Sequence, residues 1–137
     1  MALVLDTGPI LALLNADDAY HARCVELVRD LGESLVVPAP TLVEVDYWIR
    51  TRLDVAVWRT FVEDLAAGAY RLEALAEADV VRAAELEERH TDLGLGFVDA
   101  AVIAVCERLG EPKVATLDRR AFSVVVPRHV PALELLP

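Results

Sequence analysis

Four acidic residues lie where the surrounding sequence is otherwise apolar. Asp6 directly follows the apolar residues 2–5, which have the pattern of a buried strand, and Asp118 follows the strand-like segment "VATL". Glu44 lies within "PTLVEVDYWI" and Asp99 within "GFVDAAVIAVC", two helical patterns with apolar residues on nearly every side. If folding gathers these carboxylates, they must take up protons or hold cations, because two carboxylates about 4 Å apart repel by about 4 kcal/mol at an effective dielectric of about 20.

The chemistry available to such a cluster is that of a hard cation. Carboxylate oxygens favour Mg²⁺ or Mn²⁺ over Zn²⁺. Thr7 and Thr116 stand beside the acids and could add hydroxyl groups, and Thr116 and Asp118 face the same side of an extended chain because they are two residues apart. A bound divalent ion activates water and neutralises the charge of a phosphodiester under attack. The acids therefore predict metal-dependent phosphodiester hydrolysis.

Each acid also has an ordinary structural explanation. Asp6 could cap a helix that begins near Pro9, and Asp118 could open a turn. Asp99 falls in the first turn of its helix, where the helix dipole favours a carboxylate, and Glu44 could be a solvated residue at a helix edge. Each of these explanations accounts for one acid. A fold that brings the four acids together would account for all of them at once.

Strand and helix patterns alternate along the chain. Strands are predicted at residues 2–5, 34–37, 70–73 and 113–117, with one or two short strands at 122–126 and 132–136. Helices are predicted at residues 9–15, 17–31, 40–52, 54–67, 76–90 and 97–109. This alternation is typical of an α/β domain with a mainly parallel sheet. No repeat or linker divides the chain, which favours a single domain over residues 1–137.

The expected topology places two of the acids at one edge of the sheet. Ligands of such sheets bind beyond the carboxyl ends of the strands, where the strand order reverses. A chain that winds first one way from its opening strand and later the other way places a late strand beside the first. Strands 2–5 and 113–117 are therefore candidates to be neighbours, which would bring Asp6 and Asp118 together.

Composition and charge limit the partners and the compartment. The 137 residues carry 23 acidic side chains against 13 Lys and Arg, a net charge of -10, so the surface as a whole repels nucleic acid and favours a basic partner. No apolar run is long enough for a membrane span and no secretory signal is evident, which predicts a soluble, cytoplasmic protein. Cys24 and Cys106 fall in helical patterns far apart and are expected to be buried as free thiols.

Several other chemistries are disfavoured by missing residues. A haloacid-dehalogenase-like phosphatase needs a second acid two residues after the first, where Gly8 stands, and a receiver domain needs a lysine at the end of a late strand, whereas Lys113 begins one. The serines lack a GxSxG setting. The "GLGF" segment at 94–97 does not follow a strand closely and has Asp99 where a dinucleotide-binding motif has its third glycine.

Four stretches, in order and spacing, resemble the PIN-domain ribonucleases, especially the VapC toxins of bacterial toxin-antitoxin pairs. They are "VLDTGPILALLNADDAYH", "VPAPTLVEVDYWI", "LGFVDAAVIAVCERLG" and "VATLDRRAF", and together they span almost the whole chain. The resemblance implies a three-layer α/β sandwich, with a sheet of about five mainly parallel strands and helices on both faces. It also implies that the family's four metal-binding acids correspond here to Asp6, Glu44, Asp99 and Asp118, with Thr116 as a supporting hydroxyl.

The resemblance further implies an activity and partners. Proteins of this kind cut single-stranded regions of RNA with Mg²⁺ or Mn²⁺, form homodimers, and are silenced by an antitoxin whose tail enters the acidic groove. Arg119 and Arg120 are candidates to contact RNA or the antitoxin. Ala121 stands where the family often has a polar or acidic residue, which removes a fifth ligand. The alternative is a PIN-like module that binds RNA or protein without cutting.

Overall fold

A computed structural model describes all 137 residues of the chain. The strands are β1 (Ala2–Leu5), β2 (Ser34–Pro38), β3 (Arg71–Glu73), β4 (Lys113–Ala115) and β5 (Glu134–Leu136). The helices are α1 (Thr7–Leu14), α2 (His21–Leu31), α3 (Ala39–Arg52), α4 (Val55–Ala66), α5 (Glu77–Arg89), α6 (Phe97–Leu109) and α7 (Arg119–Phe122), with a 3₁₀ turn at Thr91–Leu93. None of the helices has the length and apolar character that a membrane crossing requires.

The five strands form one parallel sheet in the order β3-β2-β1-β4-β5. The chain builds β1, β2 and β3 in one direction and then returns to place β4 on the other side of β1. Val4 lies opposite Val114 and Leu5 opposite Ala115. The predicted parallel sheet and the predicted pairing of the first strand with strand 113–117 are both confirmed, and the strand order reverses between β1 and β4.

Helices cover both faces of the sheet, as predicted. Successive side chains of a strand point to opposite faces, so Ala2 and Val4 join one core while Leu3 and Leu5 join the other. The first core contains residues of α5, α6 and α7, and the second contains residues of α1, α3 and α4. The fold is therefore a three-layer α/β sandwich.

Helix α6 is the most deeply buried helix. Its seven consecutive residues from Ala100 to Cys106 are all buried, because the helix packs against α5 on one side and against β2, α3 and α7 elsewhere. Complete burial of a side chain such as Ile103 contributes roughly 1.5–3 kcal/mol. This packing fixes the helix, and with it the position of Asp99 in its first turn.

The predicted short strand at 122–126 is wrong. Residues 119–122 form α7 instead, and the Asp118 carboxylate accepts a hydrogen bond from the Arg120 backbone N–H at the start of this helix. Phe122 and Val125 are buried, whereas Val124 and Val126 are exposed. Burial at a spacing of three residues fits a helical turn, and the alternation that a strand requires is absent.

Smaller differences concern helix ends and aromatic residues. The helix predicted from residue 17 begins at His21, because residues 15–20 form turns. Phe61 is completely buried in the second core, and Trp58 packs against that core partly buried. Trp48 is half-buried, with the Arg52 guanidinium 4.3 Å from the centre of its ring. Cys24 and Cys106 are buried free thiols, as predicted.

A network of ion pairs joins α5 to α6 on the surface of the first core. The Arg82 guanidinium donates from Nε and Nη2 to the two carboxylate oxygens of Glu107, both at 2.9 Å. Arg108 donates from Nε to Asp79 and from Nη1 to Glu73, which links the last turn of α6 to the first turn of α5 and to β3. These pairs hold the end of α6 that lies away from Asp99.

Candidate active site

Asp6 is fixed at the point where the strand order reverses. Its backbone N–H continues the sheet by donating to the Ala115 carbonyl at 2.9 Å. Its Oδ1 accepts from the Thr7 backbone N–H at 2.8 Å, and its Oδ2 accepts from the Thr116 hydroxyl at 2.9 Å. Asp6 thus caps α1, as its ordinary structural explanation proposed, and it is also held by β4. Each of its oxygens has accepted one hydrogen bond and keeps a lone pair for a cation.

The close packing of α1 on the segment after β4 depends on Gly8. A Cβ atom at this position would lie 3.3 Å from the Leu117 Cβ, which is tighter than ordinary van der Waals contact. The glycine therefore allows the start of α1 to approach residues 116–118, and this approach brings Asp6 within reach of the Thr116 hydroxyl.

Glu44 reaches the same edge from α3. The Thr7 hydroxyl donates to its Oε1 at 2.6 Å, so Thr7 binds Asp6 through its backbone and Glu44 through its side chain. Glu44 is half-buried. The two threonines, Thr7 and Thr116, thereby act as the hydrogen-bonding links between acids that are distant in sequence.

Asp99 and Asp118 line a common pocket beside Asp6. Its walls are formed by the turn before α6, the first turn of α6 and the start of α7; its lining residues are Leu93, Gly94, Leu95, Asp99, Asp118, Arg120 and Ala121. Asp118 is exposed and Asp99 half-buried. The pocket opens to solvent, so a polymeric substrate can reach these carboxylates.

The acids interact electrostatically. Burial and, in decreasing order, the negative charges of Asp6, Asp118 and Glu44 together raise the pKa of Asp99 from 3.8 to about 7. Burial also raises the pKa of Asp6, although its hydrogen bonds from Thr7 and Thr116 oppose this change. The negative charges of Asp6, Asp118 and Glu44 all act on Asp99, so the structure brings the four predicted acids into one anionic cluster, with Arg120 in the pocket that Asp99 and Asp118 line.

The donor set fits a hard divalent cation. All four acids offer carboxylate oxygens, and a cation would relieve the repulsion that raises the Asp99 pKa. No group of three or more His, Cys, Asp or Glu side chains forms a ready-made metal site. Mg²⁺ commonly takes only one or two carboxylates and completes its shell with water and substrate phosphate, so it does not require a group of three.

The two predicted arginines lie beside the cluster and bind backbone oxygens. Arg119 donates from Nη2 to the backbone oxygens of Leu135 and Pro137, and Arg120 donates to the Leu93 carbonyl at 2.6 Å. Both arginines are exposed. Ala121 is buried and offers no ligand.

Two residues that the sequence analysis did not select also border this edge. Tyr20 and Arg23, at the start of α2, line a second cleft together with Thr116 and Arg119. No spacing in the sequence relates α2 to α7, because tertiary packing alone brings these helices to the end of β4.

Comparison with known proteins assigns the family. Residues 3–126 match the PIN domain family model. The chain is 31% identical over 125 residues to "Ribonuclease VapC26" of Mycobacterium tuberculosis, which covers 91% of this chain and 93% of that protein.

Two solved structures share the fold. One is the crystal structure of Mycobacterium tuberculosis VapC20, described as a "Sarcin-Ricin loop cleaving toxin", with a TM-score of 0.79 and 22% identity over 87% of this chain and 92% of the other. The second is a toxin-antitoxin complex from Klebsiella pneumoniae, with a TM-score of 0.67 and 15% identity over 90% and 92% of the two chains. The match to the family model and the identity to VapC26 over most of both chains establish that this chain belongs to the PIN-domain family and to its VapC group.

Proposed function

We propose that the chain is a Mg²⁺- or Mn²⁺-dependent endoribonuclease, the toxin of a toxin-antitoxin pair, that hydrolyses phosphodiester bonds in RNA. The observation that carries this proposal is the gathering of Asp6, Glu44, Asp99 and Asp118 into one anionic cluster at the point where the strand order reverses. The names of its relatives support the activity, since VapC26 is a ribonuclease and VapC20 is a toxin that cleaves the sarcin-ricin loop.

The residues of the cluster have distinct tasks in this proposal. Carboxylates of the four-acid cluster would hold the cation together with water and substrate phosphate, and the hydroxyls of Thr7 and Thr116 fix Glu44 and Asp6 by hydrogen bonds. When bound, the divalent ion supplies activated water and neutralises charge on the phosphodiester. Hydrolysis then forms a P–O bond from water and breaks the bond to the leaving ribose oxygen. The open pocket beside Asp99 and Asp118 admits the RNA backbone.

The direct test is incubation of the purified protein with a pool of structured RNA in Mg²⁺ or in EDTA. We expect cleavage within single-stranded regions in Mg²⁺ and none in EDTA. Asp6→Asn controls for a contaminating nuclease, because cleavage that persists in this variant cannot come from the cluster. RNA that is bound by the protein but stays intact in Mg²⁺ and in Mn²⁺ would favour the non-catalytic binding module.

Metal binding is also expected to stabilise the folded protein. An ion that binds only the native state at about 100 times its Kd adds about 2.7 kcal/mol, which raises the Tm of a domain of this size by about 10 °C. Thermal unfolding at neutral pH with increasing Mn²⁺ measures this effect. Asp6→Asn should lose most of the increase, whereas Asp30→Asn, at the far end of α2, should retain it. An unchanged Tm at millimolar Mn²⁺ in the wild-type protein would contradict the metal site.

An antitoxin with a basic tail fits the charge of the site. The protein has a net charge of -10, and the charges of Asp6, Asp118 and Glu44 act on Asp99 in this cluster. Arg or Lys side chains of a tail could enter the pocket and take the place of the cation. A cognate antitoxin that binds tightly through a tail without basic residues would contradict this proposal.

A homodimer is proposed from the apolar surface of α3 and α4. Val43, Tyr47, Val55 and Val62 are exposed on these helices, and large exposed apolar side chains in proximity are typical of interaction surfaces. Light scattering of the purified toxin is expected to give twice the mass of one chain. A solution mass of 15.0 kDa, that of the monomer, would contradict the dimer.

A further inference from the structure

The positive side chains that lack ion pairs are unevenly placed. Of the 13 Lys and Arg residues, seven form ion pairs, namely Arg29, Arg50, Arg71, Arg82, Arg108, Lys113 and Arg128. Six therefore do not, and three of these six, Arg23, Arg119 and Arg120, line the two clefts that border the acidic cluster. In a chain with 23 acidic residues, positive side chains without acidic partners are available to an anionic ligand.

One of these clefts combines positive charge with an exposed aromatic ring. It lies between the start of α2 and the start of α7, and its lining residues are Tyr20, Arg23, Thr116, Leu117, Arg119 and Pro137. Tyr20 is 44% exposed, and the Arg23 guanidinium lies 6.0 Å from the centre of its ring. The cleft adjoins the acidic cluster at Thr116, whose hydroxyl binds Asp6.

The backbone that carries Tyr20 forms an ordered turn. The Tyr20 N–H donates to the Asp18 carboxylate at 2.8 Å, and the Asp18 N–H donates to the Asn15 carbonyl at 3.0 Å. Arg119 is likewise anchored, because its Nη2 donates to backbone oxygens while its other N–H groups have no protein partner. The cleft therefore presents prepositioned groups.

The geometry points to this cleft as a subsite for the RNA strand beside the scissile bond: Arg23 and Arg119 contact a backbone phosphate and the Tyr20 ring stacks on a base. This inference rests on the proposed nuclease function. Positive grooves with aromatic platforms are how proteins bind single-stranded nucleic acid without strong sequence preference. A basic antitoxin tail would be repelled by Arg23 and Arg119, so RNA is the occupant that the charges favour.

The subsite predicts two separable defects in RNA binding. The test uses the full chain with Asp6→Asn as background, so that the RNA stays intact, and measures fluorescence anisotropy with a labelled short single-stranded RNA at several KCl concentrations. Arg23→Gln should raise the Kd about fivefold and reduce the slope of log K against log salt by about 0.7, the value for one lost phosphate contact on a single strand. Tyr20→Leu should raise the Kd at least about fivefold with an unchanged salt slope, because stacking carries no charge.

Two control variants distinguish the loss of subsite contacts from the general effect of a substitution on RNA binding. Tyr20→Phe keeps the ring and should bind as the background protein does. Arg59→Gln removes another exposed arginine without an ion pair, on α4 and outside both clefts, and should change neither Kd nor slope. Unchanged RNA binding in Arg23→Gln and Tyr20→Leu would overturn the inference. So would the finding that these variants bind RNA normally and lose affinity only for the antitoxin.

The nuclease function and the RNA subsite can be tested separately. Binding is measured without cleavage, so an otherwise wild-type chain that never cuts RNA would overturn the nuclease function alone. With the active site intact, Arg23→Gln and Tyr20→Leu should lower kcat/KM about fivefold, in line with the weaker binding. Normal cleavage with unaltered binding in both variants would overturn the subsite and leave the nuclease function standing.

Discussion

Asp99→Asn is expected to reduce RNA cleavage by roughly 10³-fold while making the metal-free protein more stable. Asparagine keeps the shape of the side chain but removes the charge, which lowers the affinity for a divalent ion whose contribution to the transition state is several kcal/mol, and each 1.4 kcal/mol is about tenfold in rate. Cleavage rates in Mg²⁺ under single-turnover conditions measure the first effect.

The stability effect follows from the pKa of Asp99 in the folded protein. Burial and the neighbouring acids raise this pKa from 3.8 to about 7, so between these values the native state binds more protons than the unfolded state and stability falls as pH rises. The difference corresponds to about 4 kcal/mol at most. Because the pocket is open to solvent, screening reduces it, and we expect about 1–2 kcal/mol.

Thermal unfolding in EDTA tests this stability effect. The Tm of Asp99→Asn should exceed that of the wild type by about 5 °C at pH 8, and the difference should vanish only well below the ordinary pKa of 3.8, where Asp99 is protonated in both states. Asp30→Asn is a suitable control, because Asp30 is 69% exposed in its pair with Arg29 and should shift neither activity nor stability by much. A variant less stable than the wild type at pH 8 would show that Asp99 is not under electrostatic strain.

The sequence predicted the positions of the acids because the relevant signals are local. An apolar strand that ends in Asp6 and an apolar helix that begins near Asp99 can be recognised from a few residues each. The pairing of β1 with β4 also followed from the order of the elements, since the rule of strand reversal needs only their sequence. The sheet edge that carries the candidate site was thus predictable without coordinates.

The remaining features depend on contacts between distant residues. The segment 122–126 is apolar enough for a strand, but the cap from Asp118 and the burial of Phe122 and Val125 make it a helical turn. Glu44 and Asp6 are linked through Thr7, a contact across 37 residues. The cleft of Tyr20 and Arg23 arises only when α2 packs near α7. None of these contacts has a signature in local spacing.

The pairing of Arg82 with Glu107 is a further long-range contact, and it is expected to have the largest effect on stability. Arg82 is 6% exposed and the Glu107 side chain 9% exposed. Burial alone would raise the pKa of Glu107, but hydrogen bonds from the Arg82 side chain and the Arg128 backbone outweigh it and lower this pKa. Removal of the guanidinium by Arg82→Met leaves a buried carboxylate without its main partner, which costs about 3–5 kcal/mol.

Unfolding in urea at pH 7 measures this loss of stability. Its dependence on pH shows whether the loss is electrostatic. Since the folded pKa of Glu107 lies below its ordinary value of 4.5, the pair stabilises the protein above about pH 4.5, and this stabilisation is lost as pH falls through the folded pKa. The difference between Arg82→Met and the wild type should therefore be largest at neutral pH and shrink in acid. A difference that is independent of pH would assign the loss to packing alone.

Two further variants complete the test of this pair. Arg82→Met combined with Glu107→Leu should regain much of the lost stability, because an apolar pair of similar volume removes the uncompensated charge. Arg29→Met breaks an exposed pair, with side chains 68% and 69% exposed, and should cost less than about 1 kcal/mol. Because Glu107 lies near the end of α6 opposite Asp99, Arg82→Met should keep near wild-type RNA cleavage at temperatures where it remains folded. Loss of cleavage in the folded variant would mean that the ion pair also positions the first turn of α6.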